Sequence, residues 1–327
     1  MNMKRIIVSA LVAVSAAVGF AEWDTSKEGQ IAYQRDGKDV WRFHNTGAIN
    51  KPFFDPLCVV GGPSLTWARP ADHVWHYGLW FSWKYINGLN YWEEKGGKAE
   101  GVILQNALEK TETMLDGSIT IGREFVYDRE PLKEKKASLV EERTITISAP
   151  AEDGSYYMDW KMVFTALVDV KLDRTPIPGE QGGQSWGGYA GLSMRFADGM
   201  KDVETVATGI GRVTRNKDNR LDTTAAAMEQ SGIIDGKPYG VAILAHPDNP
   251  RAPGDWYALE GGNFNFFNAA FLLKEPYTLP KGETLTLCYR VHIHPGRWGV
   301  DELQARAESY AAQPLKIEMR INEAIEQ

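Results

Sequence analysis

The sequence predicts an all-β protein, a large antiparallel β-sandwich with a short C-terminal helix. Two observations carry this. Segments of alternating apolar and polar residues recur at 144–148, 157–168, 239–244 and 284–294, the period of a strand with one buried face. Clusters rich in Gly, Pro, Asn and Asp separate them, at 36–38, 116–118, 152–155, 235–237 and 280–283. Turns this frequent belong to sandwiches and barrels. The stretch 300–312 reads as a helix instead. Asp301 and Glu302 suit its first turn, where free backbone N–H groups favour negative charge. The Gly-rich stretch 178–191 is too short to separate domains and reads as a loop feeding a strand. No linker or fixed-period repeat divides the chain, so residues 22–327 are expected to form one β-sandwich domain.

The first 21 residues read differently. Lys4 and Arg5 precede an apolar run at 6–18, and small residues lead to Ala21. That is the pattern of a signal peptide cleaved after Ala21. The run is short for a span of roughly 20 residues, and no Cys follows it as a lipid anchor. The mature chain is therefore expected in the periplasm or outside the cell, with no membrane span. The net charge of −7 argues against nucleic acid as partner, which calls for a basic stripe. Cys58 and Cys288 are too few for a cysteine-based zinc framework, and export leaves open whether they pair.

Residues 72–94 read DHVWHYGLWFSWKYINGLNYWEE. They hold four tryptophans, three tyrosines, two histidines and two glutamates. After a turn at 70–72, residues 74–83 read as a strand. Trp75, Tyr77, Leu79, Phe81 and Trp83 then share an apolar face, and His76, Gly78 and Trp80 share the other. Asn87-Gly88 marks a hairpin turn, which returns Trp92 and Glu93 towards the same end. His73 and His76 have HxxH spacing. On a regular strand they point apart, so a divalent metal there requires His73 to sit in the turn. No dense carboxylate cluster suggests calcium, and no cofactor is expected.

Two more segments carry chemistry. At 284–294 the alternation sends Leu285, Leu287, Tyr289, Val291 and Ile293 to the core. It puts Arg290, His292 and His294 on a face that reads as a cleft lining or a solvated surface. At 244–271 a turn between strands carries His246, Arg251 and Trp256, followed by Asn268 among phenylalanines. Loops with such residues are common places for ligand contacts. Of six histidines, five fall in these three segments and only His44 stands apart. The sequence lacks GxSxG, P-loop, HExxH and dinucleotide-binding patterns.

The segment 51–94, with 187–197, 240–253 and 267–296, resembles the bacterial family labelled PmoA-like, over roughly residues 25–312. Many members carry an arginine directly after the second histidine, where this chain has Tyr77. The label suggests a methane monooxygenase subunit. Such a subunit spans the membrane many times, which this chain does not. The resemblance implies an exported β-sandwich similar in shape to galactose-mutarotase-like sugar enzymes, an analogy of fold.

These readings meet in an exported carbohydrate-active enzyme, a hydrolase, lyase or dehydratase using acid–base chemistry on an oligo- or polysaccharide. His76 and His246 are the expected proton-transfer groups, oriented by His292 or by a carboxylate, Glu93, Glu94, Asp72 or Asp255. Trp80 and Trp256 are expected to stack on sugar rings and Arg251 to bind a hydroxyl or anionic group. His73, Asn87, Trp92, Asn268 and Arg290 complete the expected binding set. A non-catalytic carbohydrate-binding protein and a structural protein of the cell envelope are the alternatives.

Overall fold

The alternating segments become paired strands. The computed structural model describes residues 22–45, 51–114, 116–128, 137–262 and 264–314; the expected signal peptide, residues 1–21, lies outside them. Among the described residues the strands pair antiparallel and build two nine-stranded sheets and one of four strands. The front sheet runs, in spatial order, Glu22–Asp24, Gln30–Arg35, Lys38–His44, Phe53–Leu57, Leu79–Ser82, Gly191–Arg195, Phe266–Ala269, Asp255–Leu259 and Leu221–Thr224. The back sheet runs Gly211–Arg212, Lys201–Ala207, Ala227–Ile234, Lys237–Ala245, Thr284–Pro295, Tyr156–Ala166, Ala137–Ile147, Ile119–Asp128 and Val102–Thr113.

The two sheets face each other across one large core. Phe54 of the front sheet meets Trp160 of the back sheet at 5.7 Å between ring centroids, and Phe81 meets Phe164 at 5.4 Å. Leu285, Leu287, Tyr289, Val291 and Ile293 all point into this core, as the alternation predicts. Each fully buried side chain of this size contributes about 1.5–3 kcal/mol. Trp256 belongs here as well, which corrects the expectation that it offers a ring face to a sugar. On Asp255–Leu259 the alternation turns Trp256 and Ala258 inward and Tyr257 outward. Trp256 is 0% exposed, and its indole N–H donates to the Ala225 carbonyl at 2.8 Å. Cys58 and Cys288 are buried and unpaired, and burial pushes both thiols up to about 12.

The helix Val300–Ala311 lies on the outer face of the back sheet. Leu303, Ala307 and Tyr310 share one stripe and pack on Ala242, Leu244 and Val206. Among the described residues no helix is long and apolar enough to cross a membrane.

The strand expected at 74–83 is shorter. Only Leu79–Ser82 forms a strand; 70–76 makes successive turns, with His73 N–H donating to Pro70 O at 3.0 Å and His76 N–H to His73 O at 2.9 Å, and Tyr77 makes a single bridge to Ala68. Gly78 explains the break. Its φ is +73°, and a Cβ there would stand 2.5 Å from the Phe54 carbonyl, so only glycine fits. Leu79, Phe81 and Trp83 reach the core as expected, but Tyr77 turns to the outer face of the front sheet.

Candidate functional site

The outer face of the front sheet carries a second apolar cluster. Phe53, Trp80, Phe266 and Tyr257 project from its strands, and Tyr77 and Trp92 come from the loops above. On this floor His76 packs against Phe266 at 5.3 Å and Trp80 at 5.2 Å, with the Trp92 ring edge-on at 6.3 Å. His76 is 5% exposed. Burial, followed by the nearby charges of His73, Arg195 and Lys51, holds its imidazole well below the usual range, so it is neutral at pH 7. Its Nδ1 is buried and has no hydrogen-bond partner.

His73 lies above it, the two rings 4.8 Å apart. A third of the His73 side chain (33%) is exposed, and its Nδ1 sits 3.0 Å from the Asp72 carboxylate. The same carboxylate oxygen accepts from Arg195 Nη2 at 2.9 Å, and the Arg195 guanidinium is stacked 3.8 Å from the centre of Phe264. Partial burial raises the Asp72 carboxyl, but the hydrogen bond with His73 and the Arg195 charge outweigh it and keep it ionised.

A buried ionic network supports these turns. Glu94 accepts from Lys51 Nζ at 3.1 Å and from the Tyr77 hydroxyl at 2.7 Å, and its other oxygen accepts from Arg69 at 3.3 Å. Lys51 Nζ also donates to the carbonyls of Trp92 at 2.6 Å and Trp75 at 3.3 Å, so its three protons are all used. Burial lowers the Lys51 amine to about 8, and Glu94 offsets part of that shift. Arg69 has φ +55°, a left-handed conformation that costs an arginine energy. Its backbone N–H donates to His76 O at 2.7 Å, and its guanidinium lies over the Tyr77 ring at 5.2 Å.

Glu93 sits beside this network rather than on His76. It accepts from Lys84 and Tyr189, and from Asn90 at 2.6 Å. Burial raises it, but the Lys84 charge lowers it further. The Tyr189 ring meets Trp92 at 4.8 Å.

Several expected site residues lie elsewhere. His246 and His292 are on the back sheet's outer face, under the C-terminal helix, with the core between them and His76. His246 is saturated: Asp248 N–H donates to its Nδ1 at 3.2 Å and its Nε2 meets Gln313 O at 3.0 Å. Burial lowers the His292 imidazole to about 3. Arg290 makes a two-pronged ion pair with Asp159 at 2.6 and 2.7 Å. Arg251 donates to the carbonyls of Phe271, Glu275 and Pro276 and so staples its loop to the one that follows Phe266–Ala269. It borders a depression of about 280 Å³ with Lys274 and Asp255, at the far end of the 255–269 hairpin from His76. Asn87 ties the hairpin turn to Asp169 O and Lys171 N–H. Asn268 is buried beneath the front face, bonded to Leu192 O and Ser193 Oγ.

The structure therefore brings together His73, His76, Trp80 and Trp92, with Glu93 alongside, but Trp80 is 0% exposed and packs within the floor, which corrects the expectation that it stacks on a sugar ring. Of the candidate carboxylates it sets Asp72 on His73 and Glu94 on Lys51, and it adds Arg195, Lys51, Arg69 and Tyr77. Alternation in Gly191–Arg195 hinted at Arg195, since it sends Leu192 and Met194 inward and the arginine out. Among the described residues no group of three or more His, Cys, Asp or Glu side chains is arranged to hold a metal ion.

Several solved structures share parts of this shape. A GH36 α-galactosidase from Geobacillus stearothermophilus is 8% identical, with a TM-score of 0.43 over 86% of this chain and 42% of its own. A putative aldose 1-epimerase from Klebsiella pneumoniae is 9% identical, with a TM-score of 0.38 over 86% of this chain and 88% of its own. The chain thus spans about two fifths of the α-galactosidase it matches. At these scores the likenesses locate no residue and assign no activity. No curated protein matches the sequence significantly. From residue 30 to residue 308 the sequence matches the model of DUF6807, a family of unknown function, and the chain belongs to that family.

Proposed function

We propose that this chain is an exported, carbohydrate-active enzyme whose site is the outer face of the front sheet around residues 72–94. One observation carries the reading: an accessible imidazole, oriented by a carboxylate and an arginine, stands on a floor of aromatic rings. Asp72 accepts Nδ1–H of His73, which leaves Nε2 to take or return a proton. Arg195 keeps Asp72 ionised, so the pair acts as an oriented base rather than a shared-proton dyad. His76 supports from below as a neutral ring and does not repel the imidazolium that forms on His73. Trp75 and Phe264, both only partly buried beside His73, offer ring faces to the C–H groups of a sugar. The PmoA-like resemblance points to sugars only by analogy of fold.

The test is product analysis by mass spectrometry. Residues 22–327 would be incubated with poly- and oligosaccharides, including uronic-acid and oxidised (keto) sugars. A product carrying one added water identifies a hydrolase. An unsaturated product identifies a lyase or dehydratase. Glycan binding with no product on any substrate establishes a non-catalytic binding protein instead, and neither binding nor product sinks the carbohydrate reading.

A further inference from the structure

Alone among the described tryptophans, Trp186 is strongly exposed, at 48%. It sits in the loop between Val170–Asp173 and Gly191–Arg195, whose backbone is anchored on both sides of it. Arg220, almost fully buried, donates to the carbonyls on either side of it, to Ser185 O at 2.6 Å and to Gly187 O at 3.0 Å. Arg220 is itself held by Asp222 at 2.6 Å and lies over the Tyr257 ring at 4.5 Å. Further back, Arg174 grips Glu180 at 2.6 Å, and Glu180 accepts the Ile177 N–H at 2.9 Å. Gly183 and Gly187 let the loop lie flat, because a Cβ on either would stand 2.1 Å from a backbone oxygen of Ile177 or Pro176. The backbone that carries the exposed indole is thus tied on both sides of it.

From there a line of rings leads to the site. Trp186 meets Tyr189 at 6.1 Å, Tyr189 meets Trp92 at 4.8 Å, and Trp92 meets His76 at 6.3 Å. The Tyr189 hydroxyl and Lys84 converge on Glu93, which places hydrogen-bonding groups beside the rings. We propose that Trp186 is the stacking platform of an outer sugar subsite, and that the ligand is an oligosaccharide of two or more units rather than a monosaccharide. This rests on the front-face site proposed above. With Tyr189 and Trp92 between Trp186 and His76, one pyranose ring cannot cover both ends. A platform already ordered before binding loses little entropy when a ring docks.

The experiment is calorimetric titration of wild type, Trp186→Ala and Trp186→Phe. The probes are β-glucan, xylan, mannan, galactan and polygalacturonate oligosaccharides of one to six units. Wild-type affinity should rise with length. Trp186→Ala should lose tenfold or more for the longer ligands, keep its affinity for the shortest one bound, and melt at the wild-type temperature. Trp186→Phe should recover part of the loss. Equal affinities of wild type and Trp186→Ala at every length would overturn the subsite and leave the front-face site standing. If wild type binds no ladder at any length, the site reading fails and the subsite with it. Loss of self-association in Trp186→Ala, with glycan affinity intact, would make the indole a protein contact and also overturn the proposal.

Discussion

The two outer faces of this sandwich carry the same residue types and end differently. On the front face His73 and Asp72 stay within reach of solvent, above a buried Arg195 and a buried floor of rings. On the back face His292, His294, Arg290 and Glu229 are sealed beneath a helix and Trp298. That indole stacks on His294 at 3.8 Å and 6°, and its backbone N–H points at Glu229 at 3.5 Å. The difference lies in what covers each strand rather than in the strands. The helix fills the back face with Leu303, Ala307 and Tyr310, whereas turns and a glycine-rich loop border the front face and leave polar edges open. A histidine cluster is thus evidence of a site only once its lid is known.

The sharpest way to break this contrast is to remove one histidine from each face. His73→Ala should lower turnover by about 10²–10⁴-fold, while His292→Ala should leave turnover per folded molecule unchanged; steady-state kinetics on the substrate found by mass spectrometry decides it. Equal losses would make both faces functional. Next in size, Lys51→Met should cost about 3–5 kcal/mol in urea denaturation, because it strips the buried Glu94 carboxylate of its buried cation. Adding Glu94→Gln should recover much of that loss. Trp298→Ala removes a half-buried ring from the back face. It should cost about 2 kcal/mol, below the ~3–5 kcal/mol of a fully buried tryptophan, without changing front-face kinetics.

The smallest effect is pH dependence on the sealed face. Burial pushes the Glu229 carboxyl up from 4.5 to about 8. Between those values the folded chain holds a proton that the unfolded chain releases. This contribution is complete below pH 4.5 and is lost as pH rises through 8. His294, lowered by burial to about 4, acts with the opposite sign and is finished above its ordinary value of 6.5. Between pH 6.5 and 8 the wild-type melting temperature should therefore fall, and Glu229→Gln should flatten that slope. A wild-type slope that survives in Glu229→Gln would assign the titration to another group.

The sheet architecture was largely readable from alternation and turn residues. At 284–294 alternation alone identifies the inward set residue by residue, because a period of two is a local property. What covers the other face is not local. Arg290 finds Asp159 from a neighbouring strand 131 residues away, and no periodicity announces that pair. The front site shows the same limit. His73, His76, Trp80 and Trp92 come from one short segment and could be picked together. Lys51 and Arg195 reach it from 43 and 123 residues away, so their part in it is set by tertiary packing. The strand expected at 74–83 starts late, at Leu79, for a local reason, the left-handed glycine at 78.

The Arg220 clamp also has a dynamic consequence. Arg220 directly precedes Leu221–Thr224, the edge strand of the front sheet, and edge strands open first because only one side is paired. A guanidinium that holds the loop from that edge couples the two in time. When the edge frays, the backbone at 184–188 loses its anchor. In hydrogen exchange these loop amides should lose protection together with those of residues 221–224, as one opening unit, well before the 284–295 strand at the centre of the back sheet.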